Sequence, residues 1–301
     1  MRQNIVEGQT LRGAGRLVDY SNLVKLPHTV FALPFAVVGA ILASYRFPVN
    51  LADLGWILLA FTSARFAAMG FNRIVDRRVD ALNPRTRLRE IPAGRLSVRQ
   101  ASAAVAVASV LFLLSAGMLN RLCLLLAPFA LAWVFFYSYT KRFTRWAHLV
   151  LGFALAIAPV GAYLAIAGGW GDAVPGLLTL AGAVLCWVAG FDILYSLQDE
   201  AFDREHGLKS VPAAFGARNA IRISRFLHFL CFALFVATGL LFAELGVLYA
   251  LGLAICGAML VYEQSLVAPD DLSRIDAAFF NVNGVISVVL AVLVLVERLL
   301  A

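Results

Sequence analysis

Two short acidic patterns carry most of the potential chemistry in this chain. The first reads Asn72-Arg73-Ile74-Val75-Asp76-Arg77-Arg78-Val79-Asp80. Its Asn72, Asp76 and Asp80 fall at i, i+4 and i+8, which lines them along one helix face with a drift of about 40° per step. The second pattern sets Asp192, Tyr195, Asp199 and Asp203 at offsets of 0, 3, 7 and 11, again one face. Like charges four apart cost a helix a few tenths of a kcal/mol, and desolvation near lipid costs more, so two such pairs need a reason. Four carboxylates brought together suit a hard divalent cation such as Mg²⁺, which prefers oxygen ligands and often shares them with a substrate phosphate. Arg85, Arg89, Lys141 and Lys209 stand close by in sequence and would hold the phosphate oxygens not taken by metal. The competing account is a solvated helix end, with Asp76 paired to Arg77 or Arg78 and Asp203 to Arg204.

Such patterns need elements to hold them, and composition says which. Of 301 residues, 61% are apolar and 14% charged, and the mean hydropathy is +0.84. Ordinary soluble domains carry about 25% charged residues, so a cytosolic enzyme is excluded, and disorder requires the opposite balance. Apolar runs near 27–46, 52–72, 100–119, 121–139, 147–168, 174–196, 223–243, 245–266 and 277–297 predict nine transmembrane helices. They lack the two-residue alternation of a membrane barrel. The expected fold is an all-α membrane protein, a single domain over 1–301. Its D-x-x-x-D pairs are 123 residues apart at both positions, a weak internal repeat that divides the chain into halves of about 25–145 and 146–301.

Lys and Arg then set orientation. With nine spans, 21 of the 25 fall on one side, eight of them in the segment Arg73–Arg99. That excess places the N-terminus and both acidic patterns in the cytosol, and the C-terminus outside. The net charge of +7 is therefore explained by topology in a bilayer, with no nucleic-acid partner implied, and no protein partner is inferable. The N-terminal stretch lacks the pattern of a cleaved signal peptide. Cys123, Cys186, Cys231 and Cys256 lie within apolar runs without C-x-x-C spacing, and the four His are scattered, so neither a disulfide framework nor a zinc site is expected. The segment Glu263–Asp276 is expected as a solvated cytosolic loop, and Glu244 as a helix cap on the outer side.

Arg65 and Asp192 each lie about seven residues into a span, where an ionisable side chain is a site hypothesis by default. They would either pair with each other, or Arg65 would receive a substrate carboxylate through a bidentate contact.

At these residues the sequence resembles the UbiA superfamily of intramembrane aromatic prenyltransferases. The likeness lies in N-R-x-x-D-x-x-x-D at Asn72–Asp80, Asn83-Pro84-Arg85-Thr86, Tyr137-Ser138-Tyr139-Thr140-Lys141-Arg142, and Asp192-x-x-Tyr195-Ser196-x-Gln198-Asp199-x-x-x-Asp203. The opening Lys25-x-x-His28-Thr29-Val30-Phe31-Ala32-Leu33-Pro34 is similar to the quinone-pathway members. The resemblance runs from residue 25 to about 216, beyond which the spans match only in being apolar. It implies nine helices around a central cavity, cytosolic cap loops, and Mg²⁺-dependent transfer of a prenyl group from its diphosphate. Carried onto this chain, Asp76, Asp80, Asp199 and Asp203 would hold Mg²⁺. Asn72, Arg85, Arg89, Lys141 and Lys209 would contact the diphosphate. Arg65, Asn72, Asp192 and Tyr195 would bind the acceptor, and Asp192 joins the four acids as a candidate catalytic group.

The implied reaction is transfer of a polyprenyl group to an aromatic acid, 4-hydroxybenzoate or a dihydroxynaphthoate, in ubiquinone or menaquinone biosynthesis at a bacterial inner membrane. Departure of diphosphate leaves an allylic cation that aromatic faces stabilise, and Phe31, Phe35, Phe66, Phe71, Tyr137 and Tyr195 are candidates. Either Asp192 or a diphosphate oxygen would take the ring proton. A cation-coupled transporter is the alternative of another class, but it calls for polar residues at mid-bilayer on several helices, whereas these acids collect at cytosolic span ends.

Overall fold

The computed structural model describes residue 11 and residues 15–25 and 32–301. Among these the chain is helical, apart from one isolated bridge between Ala268 and Asp271. A short helix α1 (Arg16–Leu23) precedes α2 (Leu33–Ser44), α3 (Leu51–Leu82), α4 (Val98–Leu119), α5 (Arg121–Thr140) and α6 (Ala147–Ala167). Then come α7 (Val174–Ser196), a short α8 (Glu200–Glu205), α9 (Val211–Leu241), α10 (Val247–Ser265) and α11 (Asn283–Leu300). Among the described residues eight segments are long and apolar enough to cross a membrane, and α2 is a shorter apolar helix at the first of the nine expected spans. His28 and Phe31 lie outside the described residues.

The largest departure from the expected spans serves the site. At 32 residues, α3 is about 48 Å long against a hydrocarbon core of about 30 Å. It begins at a capping box, Asn50 with Asp53, and does not stop where hydropathy falls. Arg73, Arg77 and Arg78 therefore ride on the helix instead of in a loop, and the same rigid rod carries Asn72, Asp76 and Asp80. In α9 the helix likewise starts twelve residues before the apolar run, at Val211 with Ser210 as its cap, and turns at Gly216, whose φ of 78° suits a residue without Cβ.

The core centres on α7. Two-thirds of its apolar window (67%) is buried inside the protein, against at most 39% for any other span. Close helix approach depends on small residues, as expected where lipid supplies no hydrophobic contrast. A Cβ on Gly152 would collide with the Leu185 backbone, and one on Gly39 with the Pro159 carbonyl. Gly152→Val is therefore expected to separate α6 from α7 and cost about 3 kcal/mol or more. A lowered melting temperature of the detergent-purified protein, read by tryptophan fluorescence, would register it, and an unchanged one would show that the helices can slide apart freely.

Two sequence expectations are corrected here. Glu263 is not in a solvated loop: it sits in the last turns of α10, fully buried. Nor does Glu244 cap a helix. It pairs with Arg46 at 2.7 Å, while Glu297 accepts hydrogen bonds from the amides of Gly246, Leu248 and Tyr249 and so caps α10.

Candidate active site

The four acids share one cleft. Asp76 and Asp80 from α3, with Asp199 from the turn after α7 and Asp203 from α8, line a single cleft of about 870 Å³, part of it open to solvent. The second pattern reaches it by an irregular path. α7 ends at Ser196, a 3₁₀ turn spans Leu197–Asp199, and α8 resumes at Glu200, yet Asp192, Tyr195, Asp199 and Asp203 still share the cleft. Asn72, Arg85, Arg89 and Lys141 line it too.

Nearly every carboxylate is held by a cation from another segment. Arg85 clamps Asp199 with two bonds, Nε to Oδ1 at 2.9 Å and Nη2 to Oδ2 at 2.5 Å, while Asn83 Nδ2 donates to the same Oδ1 at 2.9 Å. Arg89 reaches Asp80 at 2.6 Å, and Arg142 reaches Asp76 at 2.9 Å. Asn72 donates to the other Asp76 oxygen at 2.9 Å. The local pairs of the competing account are thus not what holds Asp76, and Arg204 pairs with Glu200. Two oxygens, Asp80 Oδ2 and Asp203 Oδ2, are buried without a hydrogen-bond partner.

Electrostatics in the cap follow from this crowding. Burial alone would lower the Arg85 pKa, but Asp199 outweighs it and holds the guanidinium firmly charged. Burial likewise disfavours the Lys141 ammonium, and the carboxylates of Asp203, Asp199 and Asp192 reverse the shift and raise it. Lys25 is the opposite case. Burial, with Arg73, Arg89 and Arg85 as like-charged neighbours, pushes its pKa down to about 6.

Asp192 is oriented by a residue that spacing does not reveal. His148, at the start of α6 and fully buried, lies 2.6 Å from Asp192 Oδ2 through Nδ1. Its Nε2 accepts the amide hydrogen of Val211 at 3.3 Å, so the ring proton sits on Nδ1 and is donated to Asp192. Asn83, Arg142 and His148 are the residues that the sequence patterns left without roles. The first two lie inside the quoted motifs; His148 is 44 residues from its partner, and no local signal marks it.

Not every expected residue reaches the cleft. Lys209 does not line it; its Nζ donates to the Phe143 carbonyl at 3.3 Å and its amide to the Lys141 carbonyl at 2.6 Å. Arg65 is half-buried two helical turns below Asn72, deeper than the lining. Of the candidate aromatics, Tyr137 and Tyr195 line the cleft. Phe35 is core, packed on Trp187 and Phe235; Phe71 stacks on Phe135, and Phe66 packs in a small cluster with Leu23 and Leu96.

Long apolar helices beside a polar cap of paired acids and arginines define an integral membrane enzyme, built to handle a charged group. The chain belongs to the UbiA prenyltransferase family, whose pattern matches residues 32–285, and it is a prenyltransferase. It is 32% identical over 283 residues to the 4-hydroxybenzoate octaprenyltransferase of Nitrosospira multiformis, covering 93% of this chain and 96% of that one. The enzyme of the same name from Cronobacter sakazakii is 30% identical over 76% of this chain and 79% of its own. Among solved structures, a UbiA homologue from Aeropyrum pernix K1 superposes with a TM-score of 0.82 at 36% identity, covering 90% of this chain and 98% of that one. A UbiA homologue from Archaeoglobus fulgidus, bound to DMAPP and Mg²⁺, shares the fold at a TM-score of 0.73 and 20% identity, over 94% of this chain and all of that one.

Proposed function

We propose that this enzyme transfers a polyprenyl group from polyprenyl diphosphate to an aromatic acid, 4-hydroxybenzoate or a dihydroxynaphthoate, in ubiquinone or menaquinone biosynthesis. The observation that carries it is the convergence of four carboxylates and their arginines from both halves of the chain on one cleft. The names of the relatives support 4-hydroxybenzoate as the acceptor, and the Mg²⁺ and DMAPP of the Archaeoglobus protein support a metal diphosphate.

The donor set fits Mg²⁺: oxygen ligands throughout, with the unpartnered Asp80 Oδ2 and Asp203 Oδ2 aimed at no protein donor. Asp76, Asp80, Asp199 and Asp203 would hold it, and when bound it neutralises the diphosphate so that this becomes a leaving group. Asn72, Arg85, Arg89 and Lys141 then hold phosphate oxygens, with Lys209 at the margin through its backbone beside Lys141. The C–O bond to diphosphate breaks and the ring carbon forms the new C–C bond. Tyr137 and Tyr195 face the allylic cation, and Tyr195, with Asn72 and Asp192, also lines the place of the aromatic acceptor. The ring proton leaves to Asp192, whose side chain His148 orients, or to a diphosphate oxygen. Arg65, at the deep end, receives the acceptor's carboxylate. The charge excess supports a bacterial inner-membrane enzyme with its N-terminus and active site in the cytosol.

Membranes supplied with Mg²⁺, a polyprenyl diphosphate and each acid in turn are expected to give a prenylated acid by mass spectrometry. Product from neither acid overturns the proposal. Arg65→Ala is expected to raise the KM for the acid by about tenfold or more, the worth of one charged hydrogen-bonded contact. The KM for the diphosphate should stay put, and a parallel rise in both would remove Arg65 from the acceptor pocket.

A further inference from the structure

The last span does not begin as an ordinary helix. Residues Ala277–Val282 form a π-turn ahead of α11. Such turns widen the helix, leave carbonyls without their usual donors, and recur near functional sites. Here Asn283, wholly buried, supplies the missing donor: Nδ2 reaches the carbonyls of Ala278 at 3.2 Å and Phe279 at 3.1 Å. The same amide donates at 3.1 Å to Oε1 of Glu263 on α10, itself fully buried. The nearest histidine nitrogen, Nδ1 of His228, is 3.8 Å from the other oxygen, beyond hydrogen-bond range. A fully buried carboxyl group and carboxamide are costly, and they meet at the π-turn.

The turn brings two neighbouring rings to one target. Successive residues on a regular helix diverge by about 100°, yet Phe279 and Phe280 both touch Tyr195. Phe279 stacks on it with centroids 4.1 Å apart at 29°, and Phe280 meets it edge-on at 6.1 Å. Phe191 closes the group against Phe279 at 5.2 Å. Tyr195 is the cleft member of the cluster.

We propose that Phe279, carried by the π-turn and held there by the Glu263–Asn283 hydrogen bond, is a positioning residue that fixes the Tyr195 ring and thereby the fit of the aromatic acceptor. It rests on the acceptor pocket assigned above. Its effect falls on the acceptor end because the phosphate end is braced separately. Arg85 touches the Tyr195 hydroxyl only at 3.4 Å but grips Asp199 with two shorter bonds, so releasing Tyr195 leaves the arginine in place.

Phe279→Ala, Phe279→Tyr and Glu263→Gln, purified in detergent, test this by the KM of each substrate. Phe279→Ala is expected to raise the acceptor KM by about tenfold, as the loss of a stacked ring pair implies, with the diphosphate KM unchanged within about twofold. Phe279→Tyr keeps a stacking ring and restores the acceptor KM. Glu263→Gln keeps an acceptor oxygen for Asn283 and stays near wild type. An unchanged acceptor KM in Phe279→Ala, an equal rise in both KM values, or damage in Glu263→Gln matching that of Phe279→Ala overturns the proposal. Wild-type enzyme that prenylates no aromatic acid sinks the assigned pocket and this proposal together; turnover in wild type with an indifferent Phe279 sinks this proposal alone.

Discussion

Asp199→Ala is expected to lower kcat/KM by at least about 100-fold, equivalent to about 2.7 kcal/mol of transition-state stabilisation. Asp199 is the most heavily engaged of the four acids, accepting both Arg85 bonds and the Asn83 amide. Its loss removes one of the oxygen ligands proposed for the metal and deprives the buried Arg85 guanidinium of its two-bond partner, a change that costs about 3 kcal/mol or more in folded proteins. The melting temperature should fall along with activity. Asp203→Ala separates the two effects. Asp203 Oδ2 has no hydrogen-bond partner among the described residues and its carboxylate supports Lys141 by charge alone, so activity should drop as far with a smaller loss of stability. Steady-state assays with excess Mg²⁺, paired with thermal unfolding, distinguish these outcomes. Product formed undiminished by Asp199→Ala would refute its assignment to the metal.

The stripe of α3 was legible because a helix turns a four-residue repeat into a face, and the face survives whatever surrounds it. The second pattern was legible for the same reason, although a 3₁₀ turn interrupts the helix: a one-turn tightening rotates the stripe without turning it away. The series of apolar helices followed from bilayer thickness. What could not be read is contact between distant segments. His148 looks like a stray histidine until folding sets it beside Asp192, and Arg142 looks like part of a basic loop until it reaches Asp76. Glu263 misled for a related reason. Acidic residues before Pro269-Asp270-Asp271 read as a solvated loop, but α10 continues to Ser265, and a partner on α11 makes burial tolerable. Lys209, well placed in sequence, spends its ammonium on a carbonyl outside the cleft.

Arg85→Ala is expected to pull apart two events that the wild-type cleft couples, metal binding and diphosphate binding. Among the described residues, no three Asp, Glu, His or Cys side chains stand together as a ready metal site. Asp199, Asp80 and Asp76 are instead engaged by Arg85, Arg89 and Arg142. For the carboxylates to receive a divalent ion alone, these arginines must give up charge-assisted bonds with nothing to replace them. A diphosphate would change the balance, since its oxygens would accept hydrogen bonds from the displaced guanidinium groups of Arg85, Arg89 and Arg142. Mn²⁺ binding to the purified enzyme, followed by electron paramagnetic resonance, should therefore be weak alone and tighten sharply with pyrophosphate. Without Arg85, Mn²⁺ alone should bind about tenfold tighter, the net worth of a charged hydrogen bond released, and the gain from pyrophosphate should shrink. Turnover should nonetheless fall about 100-fold, because the clamp on the leaving group is gone. Arg85→Lys should lie between, keeping charge but not the two-pronged grip on Asp199. If Mn²⁺ binds the wild type tightly without pyrophosphate, or the Arg85→Ala variant more weakly than wild type, then the arginines do not compete with metal for the acids, and the two ligands bind independently.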